Sequence, residues 1–378
     1  IGSYLIKTNN EIFFISRGKT NSLLKKNGLK LKSSLGNLEF SRIDLIDKVN
    51  NNVCFDIIIL TVKLYDFDNV LTKLKKYINE KTILLPFQNG IYAEDKISKE
   101  LNLNNFYGAV AQISVHINKE AEITHNGKLA SFFVGNFIGD SSNKKVELFC
   151  LDCQKVGLDL RYTKNIKEKL WDKFIFLTAY SGMTTLTKMS IGQIFEVKKL
   201  KNMFIDAMNE SYFLSSFYNV EFARNPVDIW IERISKMPYG MSSSMFLDYK
   251  KNKKLELNWL SGFVLKRSKE FGIECKVHKE IVNGIVLMNK PLYKFLVNKW
   301  YFDELYEILF IKSSKRLGLF LWKFIDGTII DGFGPDGISS FIKKCSIKAN
   351  KFQSGFIYQY AFVMLVGFSA FLTFLIVR

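Results

Sequence analysis

A few polar residues stand where they can do chemistry. Lys63 directly follows an apolar run from Ile57 to Val62, and Gln88-Asn89-Gly90 follows a second run that starts at Ile83. Both runs are short and β-branched, the pattern of strands buried on both faces of a parallel sheet. Ligands of open parallel sheets bind at the carboxyl ends of the strands. A lysine there can pair with a phosphate or a carboxylate, and an asparagine can orient an amide. The competing reading is structural, a solvated strand-end lysine and an Asn-Gly turn. Further along, Lys173 lies in "LWDKF" and Glu256 in "LELNWLSG". Reduction of a ketone needs a proton for the oxygen as hydride reaches the carbon; a lysine placed beside a carboxylate can supply it. Each of these two residues alone is more often a surface charge, and only a shared pocket makes them a pair.

The elements around these residues form a recognisable order. Between the two apolar runs lies "NVLTKLKKYI", with helical spacing at Val70, Leu71, Leu74 and Ile78. Strand, helix and strand within about thirty residues make a βαβ unit. "EIFFISRG" reads as an earlier short strand, so the first 140 or so residues are expected to be doubly wound α/β. Arg17 ends that strand. At this place in a dinucleotide-binding unit an acidic residue suits the ribose hydroxyls of NAD, whereas an arginine suits the extra phosphate of NADP. The alternative is an exposed loop cation. From about Asn165 strand signals give way to long helical stretches, beginning with "NIKEKLWDKFIFLTAYSGMTTLTK". After Met288 the character changes again. "KWYFDELYEILFIKSSKRLGLFLWKF" reads as an amphipathic helix for a membrane surface, "DGTIIDGFGPDG" as a glycine-rich turn, and the end of the chain as a charge-free span. The expected divisions are residues 1–155, 156–288 and 289–378, with the amphipathic helix at 300–324 and the transmembrane helix at 354–377.

Composition narrows the function classes. The 378 residues carry a net charge of +18, with 54 Lys and Arg against 36 Asp and Glu. The excess is mostly lysine spread singly among Asn and Ile. No Arg cluster with interleaved aromatics occurs, so nucleic acid is not an expected partner. The five cysteines and three histidines show no ligand spacing, and the lone C-x-x-C of Cys150 and Cys153 lacks the second pair that a zinc site needs. No metal is expected.

Seven short segments, "IGSYL", "SRG", "VKLYD", "FQNGI", "LWDKF", "SSSMFLD" and "LELNWLSG", occur in an order and spacing that resemble ketopantoate reductase (2-dehydropantoate 2-reductase) from Ile1 to about Met288. The resemblance implies a Rossmann-type doubly wound domain, an all-helical domain, and an active site in the cleft between them. It implies hydride transfer from NADPH to the keto carbon of a 2-keto acid: ketopantoate to pantoate, in pantothenate and coenzyme A biosynthesis, or a related substrate. Lys173 would be the proton donor and Glu256 its catalytic partner. Asn89, Ser181 and Ser244 would bind substrate. Gly2, Arg17, Lys63, Gln88, Asn89 and Glu256 would bind the cofactor, and a homodimer is an allied expectation. Two positions depart from the family. Gly2 takes the third place of G-x-G-x-x-G, and the first strand and two earlier glycines are missing from this sequence, which leads us to expect weak dinucleotide binding by the chain as it stands. One and two turns after Lys173, where many relatives carry Asn, stand Leu177 and Ser181.

Residues 290–378, with "NKWYFDELY" and "DGFGPDG", resemble the C-terminal end of chain L of respiratory complex I (NADH-quinone oxidoreductase), a lateral amphipathic helix followed by a last transmembrane helix. Two family pieces thus meet near Met288, by natural fusion or by a join in the gene model. Lys343, Lys344, Lys348 and Lys351 precede the span and Arg378 follows it, which predicts a cytoplasmic reductase part anchored to the inner or equivalent membrane. The alternative function is a catalytically inactive membrane or complex I-associated fusion protein that retains a reductase remnant.

Overall fold

A computed structural model describes residues 1–46, 54–101, 106–138, 143–289, 305–351 and 355–377. They form two compact units, Ile1–Asn289 and Lys290–Arg378.

The first unit opens as Rossmann-like α/β. Its elements are α1 (Gly2–Leu5), α2 (Gly18–Asn27), β1 (Leu29–Ser33), β2 (Leu38–Phe40), β3 (Ile57–Leu60), α3 (Leu64–Leu74), β4 (Ile83–Pro86), α4 (Tyr92–Glu100), β5 (Tyr107–Ile117), β6 (Ile123–Asn136), α5 (Lys144–Lys155) and β7 (Asp159–Tyr162). Strands β3 and β4 pair in parallel from Ile57↔Ile83 to Leu60↔Pro86, with α3 between them, as the apolar runs required. All four residues of β4 are buried. Ile83 and Leu85 enter one apolar core with Tyr107, Phe132, Val134 and Leu160. Leu84 enters the other with Phe67, Leu71, Ile97 and Phe106. The alternation follows from the two-residue period of a strand covered on both faces.

Two features differ from the sequence reading. The segment expected as a strand at "EIFFIS" forms only a single parallel bridge, Phe14↔Leu45. Phe14 N–H donates to Asp44 and Ile46 N–H donates to Phe14, but no ladder continues from there among the described residues. Phe13 and Ile15 are exposed, as befits a segment without a sheet on both sides. The second difference is the antiparallel pair β5–β6, strands of 11 and 14 residues. Their connection is made not by Asn-Gly but by residues around Ala121, whose φ is +64°. β6 is the centre of a second sheet, β2-β1-β6-β5, with β7 also pairing β6. The expected boundary at 155 is the last residue of α5, and the sheet runs on to Tyr162.

From there the unit is helical: α6 (Ile166–Thr187), α7 (Ile191–Glu196), α8 (Lys198–Ser216), α9 (Pro226–Ile234), α10 (Ser244–Lys250), α11 (Ser261–Glu270) and α12 (Lys276–Asn289). α6 is the axis. It buries 14 residues, and Trp171, Phe174, Ile175 and Met183 pack with Phe204, Met208, Phe263 and Ile281. Gly182 lets α12 approach closely, because a Cβ there would stand 2.8 Å from Ile281 Cγ2.

In the second unit, helix begins by Leu305 and runs through two π-helical stretches, Glu307–Lys312 and Leu321–Asp331, around α13 (Ser313–Phe320). The glycine-rich segment was expected to be a turn. It stays helical except at Gly334, and Pro335 then opens α14 (Pro335–Lys351), where a missing N–H costs nothing. The final helix is α15 (Ile357–Val377), apolar and long enough to cross a bilayer. Residues 300–304 of the expected amphipathic helix, Ser354 and Arg378 lie outside the described residues.

Candidate active site

Three of the singled-out residues follow strands of the parallel pair: Lys63 lies between β3 and α3, and Gln88 and Asn89 follow β4. Arg17 precedes α2, after a segment that forms only a bridge. Arg17 pairs with Asp66 in the first turn of α3 at 3.1 Å. Gln88 turns inward and donates to the Val62 carbonyl at 3.3 Å, which ties the ends of β3 and β4 together. Its Oε1 is buried without a hydrogen-bond partner among the described residues. Gly90 has φ +93°, a conformation that disfavours side chains, and a Cβ there would touch Leu260, Phe174 and Trp259. This close fit seats Asn89 against the helical part.

The lysine of "LWDKF" reaches that same point. Lys173 Nζ donates to Asn89 Oδ1 at 2.9 Å and to the Ala111 carbonyl at 2.8 Å. Burial pulls its ammonium down to about 8, while the Glu94 and Glu256 carboxylates act in the opposite direction. An amine with a proton affinity so close to neutrality gives up its proton far more readily than a solvated lysine.

Glu256 is buried and bridges the two parts of the unit. Its Oε1 accepts from the Leu64 backbone N–H at 3.0 Å, capping α3, and its Oε2 accepts from Lys63 Nζ at 3.2 Å. Lys63 also donates to Asp248 on α10 at 3.1 Å. Burial acts to lower the Lys63 ammonium, but Glu256 and Asp248 outweigh it and hold it above its ordinary value. Asp248 had no signal in the sequence beyond its place in "SSSMFLD". It marks the face of α10 that looks toward Lys63, and Ser244, one turn earlier, shares that face. Ser244 is exposed and has no hydrogen bond among the described residues; the neighbouring Ser243 instead caps the helix through Phe246 N–H and pairs with Thr184.

Ser181 lies two turns beyond Lys173 on α6. It is buried, and its hydroxyl has no partner among the described residues. Leu177, between them, is half-buried and apolar. Gly2 is placed differently from the strand-end residues. A Cβ on it would stand 2.5 Å from the Phe14 ring, so it permits close packing of α1. Sequence reasoning missed Glu94, a fully buried carboxylate on α4. The available signal was its spacing, three residues after Ile91 and three before Ile97, which places a charge on an apolar helix face. Cys150 and Cys153 are buried and their thiols are both pushed up to about 12 by burial, so neither is a reactive thiolate. No cluster able to hold a metal occurs among the described residues.

Two family models match this unit. Residues 1–139 match "Ketopantoate reductase PanE/ApbA" and residues 165–288 match "Ketopantoate reductase PanE/ApbA C terminal". The chain belongs to the ketopantoate reductase family. An uncharacterised oxidoreductase of Bacillus subtilis, YkpB, is 24% identical to this chain over 282 residues, 73% of this chain and 90% of that protein. A D-mandelate dehydrogenase structure with NADH and anilino(oxo)acetate superposes with a TM-score of 0.67 at 19% identity, covering 75% of this chain and 92% of that one, and so shares the fold. The second unit has its own relative. The NADH-quinone oxidoreductase subunit L of Rhodobacter capsulatus is 46% identical over 87 residues, 23% of this chain. Those residues span 12% of that subunit's length.

Proposed function

We propose that residues 1–289 form an NADPH-dependent 2-keto acid reductase whose proton donor is Lys173. The observation that carries this reading is the placement of one buried ammonium between Asn89 and the Ala111 carbonyl, with its proton affinity drawn down to about 8. A bound nicotinamide supplies the hydride. Asn89 orients the Lys173 ammonium and would hold the amide of a bound nicotinamide. Lys173 gives its proton to the substrate oxygen as that oxygen gains negative charge. Glu256 holds Lys63 and the start of α3, which fixes the strand-end wall of the cleft. Arg17 and Lys63 supply cations that fit phosphate groups, with Arg17 toward a 2′-phosphate. The unpartnered hydroxyls of Ser181 and Ser244 are available to substrate, and Leu177 favours a substrate less polar than ketopantoate at that point. Family membership and the D-mandelate dehydrogenase likeness support a 2-keto acid; ketopantoate or a relative with an apolar side chain fits best.

The second unit is proposed to anchor the protein to an energy-transducing membrane through α15, with the lysines of α14 on the cytoplasmic side. The likeness of this unit to subunit L favours an alternative role, a complex I-associated protein without turnover. One experiment separates the two. Lys173→Met is assayed beside the parent protein on a panel of 2-keto acids with NADPH and NADH. The proposal expects reduction by the parent at high nucleotide concentration, a preference for NADPH that Arg17→Ala removes, and a loss of roughly 10²–10⁴-fold in kcat with Lys173→Met. Nucleotide binding without any turnover in the parent supports the alternative.

A further inference from the structure

Glu94 has no part in the scheme above, yet its environment is unusual. It sits in the first turn of α4 and is fully buried. Neither carboxyl oxygen has a hydrogen-bond partner among the described residues. An unpaired carboxylate sealed from water is costly unless a charge of the opposite sign or a bound proton compensates it. Among the described residues, the cation that acts on it is the Lys173 ammonium. Lys173 is fixed to the Ala111 carbonyl of β5 and to Asn89, which stands just ahead of α4, five residues before Glu94.

Resting on the reading of Lys173 as proton donor, we propose that Glu94 is a positioning residue for it: a buried carboxyl that shares its proton and compensates its charge inside the closed site. The other charged groups nearby are committed elsewhere. On α4, Asp95 pairs with Arg267 and Lys99. On α3, Asp68 accepts from Tyr92. Glu256, ahead of α11, also acts on Lys173 but is bonded to Lys63 and Leu64 N–H, with Asp248 on the far side of Lys63. β5 brings the Ala111 carbonyl to Lys173. Burial pushes the Glu94 carboxyl up to about 8, with its own and Ala109's backbone amides and the Lys173 ammonium opposing. Two groups that would separately titrate far apart therefore hold their protons over the same range. As pH rises, loss of the Glu94 proton leaves an ion pair that retains the ammonium to higher pH.

The test needs no turnover. The full chain in detergent is labelled with acetic anhydride at a series of pH values, and modification of Lys173 is read by mass spectrometry. Glu94→Gln keeps the shape and removes the charge. The expected result is a labelling midpoint lower by about one unit, hence about tenfold faster labelling at a fixed pH below it. An unchanged midpoint overturns the proposal. Should Glu94→Gln fail to fold, the reciprocal measurement decides. With ¹³C-labelled glutamate, one carboxyl signal of the parent protein titrates far above the rest and moves higher still in Lys173→Met. A full set of glutamates titrating in the ordinary range overturns it. If Lys173→Met leaves turnover intact, the reductase reading fails while the Glu94 result stands by itself.

Discussion

Two helices of nearly equal length live in opposite surroundings. α6 has 22 residues and buries 14 of them, whereas α15 has 21 and buries none. α6 carries five charged residues, Lys167, Glu168, Lys169, Asp172 and Lys173, while α15 carries none. The hydroxyls of α6 are mostly answered from inside the fold. Thr178 pairs with Ser211 at 2.9 Å, which pairs with His278 at 2.9 Å, and Thr184 pairs with Ser243. Phe, Leu, Ile and Val side chains instead surround α15 on all sides. A core helix is selective about what it meets, because each buried polar atom needs a partner. A helix meant for lipid has only to be apolar and about 30 Å long. α6 can therefore hold chemistry, whereas α15 meets the length and composition that a bilayer requires.

The largest effect expected from this contrast is removal of residues 290–378. The full chain should pellet with membranes and resist carbonate extraction, and the shortened chain should not. A full chain that stays monodisperse without detergent would break the comparison. A smaller effect separates the two helices by truncation of one ring in each. Phe174 is fully buried on α6, and Phe174→Ala should destabilise the first unit by about 3–5 kcal/mol in denaturant melts followed by tryptophan fluorescence. Phe368 is exposed on α15, and Phe368→Ala should leave that transition unmoved. Equal shifts would show that α15 packs into the first unit.

The smallest effect concerns pH and the network behind α6. Burial lowers the fully buried His278 to about 4, against an ordinary value of 6.5, with the Ala207 carbonyl opposing. The unfolded chain then binds its proton first as pH falls. Stability from this residue is complete above 6.5 and declines between 6.5 and 4, by at most about 3 kcal/mol. His278→Gln should flatten the stability profile across that window. A parent profile already flat there would remove His278 from the account.

Part of the candidate site could be proposed from the sequence because it is written locally. Lys63 and Asn89 follow apolar runs that form β3 and β4, and a strand end is a place that spacing alone can find, whereas the run before Arg17 forms only a bridge. Lys173 and Glu256 were legible only through ordered motifs, since a lysine and a glutamate on helical stretches look like any other surface charges. Asp248 and Glu94 were not found. Asp248 matters because Lys63 lies across from it, 185 positions earlier in the chain. Glu94 reads as an ordinary acidic residue of a first turn unless its place between Ile91 and Ile97 is weighed, and only the folded chain shows it fully buried.

The sequence by itself determined the parallel β3–β4 pair, the helical second part, and the charge-free last helix. Each rests on periodicity or on the length of an apolar run, which are properties of neighbouring residues. It did not determine the fate of "EIFFIS", whose strand propensity is real but whose ladder depends on partners elsewhere in the sheet. It could not show the β5–β6 hairpin, which lacks an Asn-Gly signal and is held by pairing along its length. The tertiary structure alone decided that the Lys173 ammonium leaves water for a place between Asn89 and the Ala111 carbonyl. Proton affinity depends on desolvation and on charges a few ångströms away, and those distances exist only after the chain has folded.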